Sequence, residues 1–65
     1  MENEKRFRFY LYSIVDAFLE NDMPRLHLMA REAFLDYAKD NITYKQLYVI
    51  NSLGEIFTSA SMNEE

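Results

Sequence analysis

Apolar residues recur along this chain at intervals of three and four, and the recurrence is interrupted twice. Phe7, Leu11, Ile14 and Phe18 fall on one line of an amphipathic helix. Tyr10 and Ala17 border that line on one edge; Tyr12, Val15 and Leu19 border it on the other. The apolar arc spans about 220°, whereas one contact stripe needs about 100°. The polar strip is narrow: Ser13, Asp16 and Glu20, with Phe9 among them. The spacing predicts a first helix over 3–21. The stretch "RFRFYLY" also alternates with period two and is rich in strand-favouring rings, so a strand over 5–12 is the competing reading. The three-four pattern runs on through Phe18, too far for an ordinary strand, and favours the helix.

A second helix is predicted over 23–40. Asp22 is placed to cap it, and Pro24 falls in the first turn, where a missing N–H costs nothing. Leu26, Met29, Ala30, Ala33, Phe34 and Tyr37 share the core face, with Ala30 and Ala33 small enough to admit a close neighbour. Leu28 and Leu35 lie on the opposite side, a second and smaller apolar spot. A third helix, over 43–58, opens on "ITYKQL". Thr43 and Gln46 have the spacing of a capping box, and Ile42 and Leu47 that of a hydrophobic staple. Leu47, Ile50, Leu53 and Phe57 make its inner face, widened by Val49 and Ile56, and Tyr44 and Tyr48 fall outside it. Gly54 either ends this helix as a left-handed cap or sits inside it and allows close contact; continuation is favoured. The polar ends, "MENE" and the tail 59–65, are expected to fray.

Three helices with short connections pack as an all-α bundle, here one small domain over 1–65. Length changes the picture. A 65-residue chain buries a small share of its surface, and domains of this size often add disulfides, a metal or a partner subunit. The chain has no Cys and one His, so a disulfide or a Cys/His zinc site is out of reach, and no cofactor is called for. Association is the remaining staple, and a homodimer through the first helix is expected, with Phe9, Tyr12, Val15 and Leu19 as its interface.

The net charge of -4 argues against direct nucleic-acid binding, which draws on cations that neutralise phosphates, and against anionic membrane surfaces. No apolar run approaches a membrane span, no signal peptide is visible, and a cytoplasmic setting is the default. Lys5, Arg6 and Arg8 read as a solvated helix start balanced by Glu2 and Glu4. His27, at the edge of the second helix's apolar face, reads as a partly buried structural residue. Nothing places a Ser beside a His and a carboxylate, and a bundle this small leaves little room for a substrate pocket, so no enzyme activity is expected.

Glu32, Asp36 and Asp40 are four apart on the second helix and form an acidic column along one side. An ordinary solvated face is the plain interpretation. The sharper one is a docking strip, with carboxylates spaced about 6 Å apart, suited to a basic groove on a nucleic-acid-binding protein. The function expected from the sequence is therefore that of a small acidic regulatory protein: an inhibitor, anti-repressor or adaptor. It would meet a protein target through Glu32, Asp36, Asp40, Tyr44, Tyr48, Leu28 and Leu35. The alternatives are a minimal helix-turn-helix DNA-binding regulator, with Lys45, Gln46 and Asn51 exposed on its third helix, or a purely structural assembly subunit.

Overall fold

Three helices run Glu2–Leu19 (α1), Met23–Ala38 (α2) and Tyr44–Asn63 (α3) in a computed structural model that describes residues 2–63. No strand occurs among the described residues, so the alternating stretch from Lys5 to Tyr12 is helical. The three-four repeat prevails because it places Tyr10, Ile14 and Ala17 on one inward line, all buried.

Both turns use one device. At the end of α1, Asn21 is left-handed at φ 57, its N–H donates to the Phe18 carbonyl at 3.0 Å, and the Asp22 N–H donates to the Ala17 carbonyl at 2.8 Å. At the end of α2, Asp40 is left-handed at φ 64, its N–H donates to the Tyr37 carbonyl at 2.9 Å, and the Asn41 N–H donates to the Asp36 carbonyl at 2.8 Å. Each is a Schellman motif, which satisfies the last carbonyls of a helix through one left-handed residue. This shortens α1 and α2 relative to the sequence expectation, which ran them to Asn21 and Asp40. Glycine is the usual occupant of that position, and here Asn and Asp fill it. Asp40→Gly is therefore expected to stabilise the fold by about 0.5–1 kcal/mol, raising the melting temperature by a few degrees. A thermal melt showing a lower midpoint would contradict this account of the turn.

The helix starts follow the sequence. The Asp22 carboxylate accepts from the Arg25 N–H at 3.2 Å, and Pro24 lies in the first turn of α2. The Thr43 N–H donates to Gln46 Oε1 at 2.9 Å and the Gln46 N–H to Thr43 Oγ1 at 3.1 Å, a complete capping box. Ile42 and Leu47, the staple pair, are both buried. Gly54 stays inside α3, and the helix continues past Thr58 to Asn63, so residues 59–63 of the expected frayed tail are helical. No Gly or Pro follows Gly54 to stop the helix, and propagation needs only one new hydrogen bond per residue. Residues 64–65 of that tail, and Met1 of the expected N-terminal one, lie outside the described residues; Glu2, Asn3 and Glu4 belong to α1.

The core takes one large, fully buried side chain from each helix: Ile14, Leu26 and Ile50. Ala17 and Ala33, also fully buried, let the backbones approach. The Phe18 and Phe57 rings stack at 4.3 Å with planes 7° apart, which ties the end of α1 to the late part of α3. Arg6 and Tyr10 meet Asp36, and Tyr37 meets Tyr44. These pairings fix the topology. α1 and α3 run in the same direction, α2 runs against both, and the molecule is a rod of 39 × 16 × 15 Å. Three residues expected in the core stand exposed: Phe34 on α2 and Val49 and Ile56 on α3. Each helix of a three-helix bundle faces two neighbours, and the flanks beyond those contacts have no layer above them.

Candidate functional site

The surface divides into three seams, one between each pair of helices. Asp36 dominates the α1–α2 seam at the end where α1 begins. Its Oδ2 accepts a hydrogen bond from the hydroxyl of the buried Tyr10, its Oδ1 accepts from Asn41 Nδ2 at 2.9 Å, and Arg6 Nη1 lies 3.4 Å away. The Tyr10 hydroxyl, followed by the Asn41 amide and the Arg6 charge, holds the Asp36 carboxyl below its ordinary value. Burial and the carboxylate together push Tyr10 well above its own. One carboxylate thus joins α1, the end of α2 and the turn into α3. At the other end of this seam, Arg25 bridges to Asp16 at 2.7 Å and to Glu20 at 3.8 Å. The Asp16 hydrogen bond leads the factors that raise Arg25 above its usual value. Both partners of that bridge are solvated, and such pairs contribute little to stability.

These positions revise the acidic column. Asp36 is turned inward and committed to Tyr10 and Asn41, and Asp40 lies past the helix end in a left-handed turn. Glu32 alone remains on the solvated side of the helix. The i, i+4 spacing was present in sequence, but the Schellman turn breaks the column at its last member.

The α2–α3 seam holds a shallow cleft of about 490 Å³ and a row of rings. Ala30 and Gly54 are small enough to leave the cleft open, and His27, Asn51, Glu55, Thr58 and Ser59 supply its polar edge. It is larger than the chain's length led us to expect. His27 is exposed rather than partly buried, and its Nε2 lies 3.2 Å from Thr58 Oγ1. The Thr58 hydroxyl donates to the Gly54 carbonyl at 2.8 Å. That bond uses the hydroxyl proton, so His27 donates to Thr58 and is not placed as a base for it. Beyond the cleft the rings of Phe34, Tyr37, Tyr44 and Tyr48 follow one another at centroid separations of 6.4, 6.1 and 6.5 Å. Phe34, Tyr44 and Tyr48 are exposed. Tyr44 and Tyr48 were expected on the outside; Phe34 joins them, its ring beside Tyr37 of the same helix and 54% exposed.

The α1–α3 seam is apolar. Arg6, Tyr10 and Asp16 mark the edge of α1 that faces α2. Tyr44, Gly54 and Thr58 mark the edge of α3 that faces α2. At about 100° per residue, the opposite edges carry Leu11, Val15 and Leu19 with Tyr12 on α1, and Val49, Leu53 and Ile56 on α3. Leu19 is 75% exposed, Tyr12 72% and Ile56 62%. No charged residue interrupts this band between Tyr12 and Leu19 on α1 or between Val49 and Ala60 on α3 along the seam-facing edges. Phe9, grouped with Tyr12, Val15 and Leu19 in the sequence, is exposed on the other edge, its ring against Tyr10 at 5.5 Å. Leu28 and Leu35 are exposed on the outer side of α2 that leans towards α1, beside Glu32.

Among the described residues, no three acidic or histidine side chains converge as a metal ion would require. No helix there is long and apolar enough to cross a membrane. Fold and surface together define a three-helix bundle with a complete small core and unpartnered apolar flanks. Compared with protein-family models, curated proteins and solved structures, the chain matches none.

Proposed function

We propose that this chain is a small acidic regulatory protein that acts by contact with another protein, as an inhibitor, anti-repressor or adaptor in the cytoplasm, with no catalytic step. The observation that carries the reading is the set of large apolar side chains left exposed on every seam of a bundle whose core closes without them. Single exposed apolar residues are ordinary, whereas contiguous patches on soluble proteins mark contact surfaces. The surface for the target is the ring row Phe34, Tyr37, Tyr44 and Tyr48, since aromatic residues are enriched where proteins meet. Asp40, in the solvated turn that leads from α2 into α3, supplies an acidic component suited to a basic partner such as a DNA-binding regulator, while Glu32 lies on the other side of α2.

The experiment uses the tagged full chain to recover and identify a target, then measures its affinity for the unaltered chain and for a Tyr44→Ala/Tyr48→Ala variant. A loss of at least tenfold is expected, with the helical circular dichroism unchanged because both rings are exposed. Equal affinity for the variant would remove the ring row from the proposal. A gel shift of duplex DNA at low salt would replace the reading with the DNA-binding alternative.

A further inference from the structure

We infer that the outer face of the α1–α2 seam receives a basic amphipathic helix of another protein. The inference rests on the reading of this chain as one that acts by contact, and it adds a second contact surface with the chemistry of its partner. The apolar part of that surface is Phe9, on the edge of α1 that faces α2, with Leu28 and Leu35 on the side of α2 that leans towards α1. All three are about half exposed. Leu28 and Leu35 are two turns apart, about 10.5 Å along α2. The two helices are antiparallel, with Tyr10 against Asp36 and Asp16 against Arg25, so Phe9 stands across the seam near the level of Leu35. Two packed helices leave a furrow along their length, and a further helix laid in it packs against both. Apolar residues at three-four spacing on that helix meet Leu28, Leu35 and Phe9 along one stripe.

Charge selects the kind of helix. Where α1 turns into α2, Arg25 lies 2.7 Å from Asp16, 3.8 Å from Glu20 and 4.0 Å from Asp22. One guanidinium there answers three carboxylates, which leaves two negative charges in surplus. Glu32 adds a third. It is exposed, one turn from both Leu28 and Leu35, and it forms no ion pair among the described residues. At the far end of the seam Arg6 is committed to Asp36, and Lys5 and Lys39 are exposed. The surplus of carboxylates therefore runs from the α1–α2 turn into the middle of the apolar patch and stops there. A helix with Lys or Arg beside its apolar stripe answers both parts, its cations lying over the turn. The stems of those side chains cover Leu28 while their heads reach the carboxylates. An acidic helix is repelled. The α1–α3 band has no charge to make such a choice, and the ring row lies on the opposite flank of α2, free for a target at the same time.

The probe is a labelled synthetic helix of Leu and Lys, its Leu on one stripe and its length sufficient to span Leu28 to Leu35. Fluorescence anisotropy at low salt measures its affinity for the full chain. Two control peptides accompany it: the same composition scrambled so that no stripe forms, and the same stripe with Glu in place of Lys. The amphipathic basic helix is expected to bind, the scrambled one at least tenfold more weakly, and the acidic one not at all. Leu28→Ser/Leu35→Ser is expected to weaken binding about tenfold and Glu32→Lys about fivefold, with the helical signal unchanged because all three side chains are exposed. Tyr44→Ala/Tyr48→Ala is expected to leave the affinity as it was. Equal binding of either control peptide overturns the inference, and so does a loss confined to the tyrosine variant. If the probe does not bind while a target still depends on Tyr44 and Tyr48, the inference falls and the functional reading stands.

Discussion

Replacing Asp36 with Ala is expected to cost about 2–4 kcal/mol, a large part of the total for a chain this small. The carboxylate answers three groups at once: Arg6 and the Tyr10 hydroxyl from α1, and Asn41 from the turn after α2, and Tyr10 as a residue is only 5% exposed. Removing it leaves that hydroxyl buried and unpaired, which alone costs about 1–3 kcal/mol, and frees Asn41 in the turn. A domain of this length has roughly 3–10 kcal/mol of stability to lose. Asp36→Asn is expected to cost less, since an amide still accepts from Tyr10, and Tyr10→Phe in the Asp36→Ala background should recover part of the loss. Denaturant unfolding of the three variants and the double variant measures this. If Asp36→Ala and Tyr10→Phe add independently, the network is not a unit.

The same group sets a pH dependence. Asp36 is held below its ordinary value of 3.8 in the folded chain. Its contribution is fully present above that value and is lost as pH falls through the depressed one, because the unfolded chain then takes up the proton first. Tyr10 lies above its ordinary value of 10.0, so its contribution is present below pH 10 and fades at higher pH, where the unfolded chain ionises first. Stability is therefore expected to decline below about pH 4 and above about pH 10, and Tyr10→Phe should flatten the alkaline side.

This role of Asp36 was hidden in the sequence for a physical reason. Its spacing from Glu32 and Asp40 is local, but two of its three partners, Tyr10 and Arg6, lie 26 and 30 residues away and become neighbours only after α1 packs on α2. Charge reversal at Asp36, which suits an exposed docking strip, would here attack the fold. What depends on residues within one or two turns is legible in the sequence: the Asp22 cap, the Thr43–Gln46 box and the inward line of α3. On α1 the buried line is Tyr10, Ile14 and Ala17, one edge of the stripe expected through Phe7, Leu11, Ile14 and Phe18. The helix ends were less legible, because Asn21 and Asp40 do the work usually signalled by Gly. Phe34, Val49 and Ile56 have the right period for a core, yet the period fixes only a direction on each helix. How many neighbours lie in that direction is decided by the bundle. The outward positions of Tyr44, Tyr48, Leu28 and Leu35 were legible because they fall off the stripe altogether.

The second large effect is expected at Leu26. It is 1% exposed, and it is the side chain that Gly54 faces across the α2–α3 seam. Leu26→Ala is expected to cost about 2–5 kcal/mol, the range for truncating a buried Leu, and to leave the chain substantially unfolded at physiological temperature. The site has a second half. A Cβ added at Gly54 would meet Leu26 Cδ2 at 3.8 Å, an ordinary contact, and Gly54 has no positive φ, so Ala fits there without strain. Gly54→Ala alone is thus expected to stabilise α3 by about 1 kcal/mol through helix propensity. In the Leu26→Ala background the added methyl also points into the emptied space. The gain should then exceed that in the unaltered chain, by more than the roughly 0.3–0.5 kcal/mol within which independent sites add. Urea unfolding of the four chains measures the coupling. A gain of equal size in both backgrounds would mean that the emptied space has closed by movement of the helices, and that Gly54 serves α3 alone.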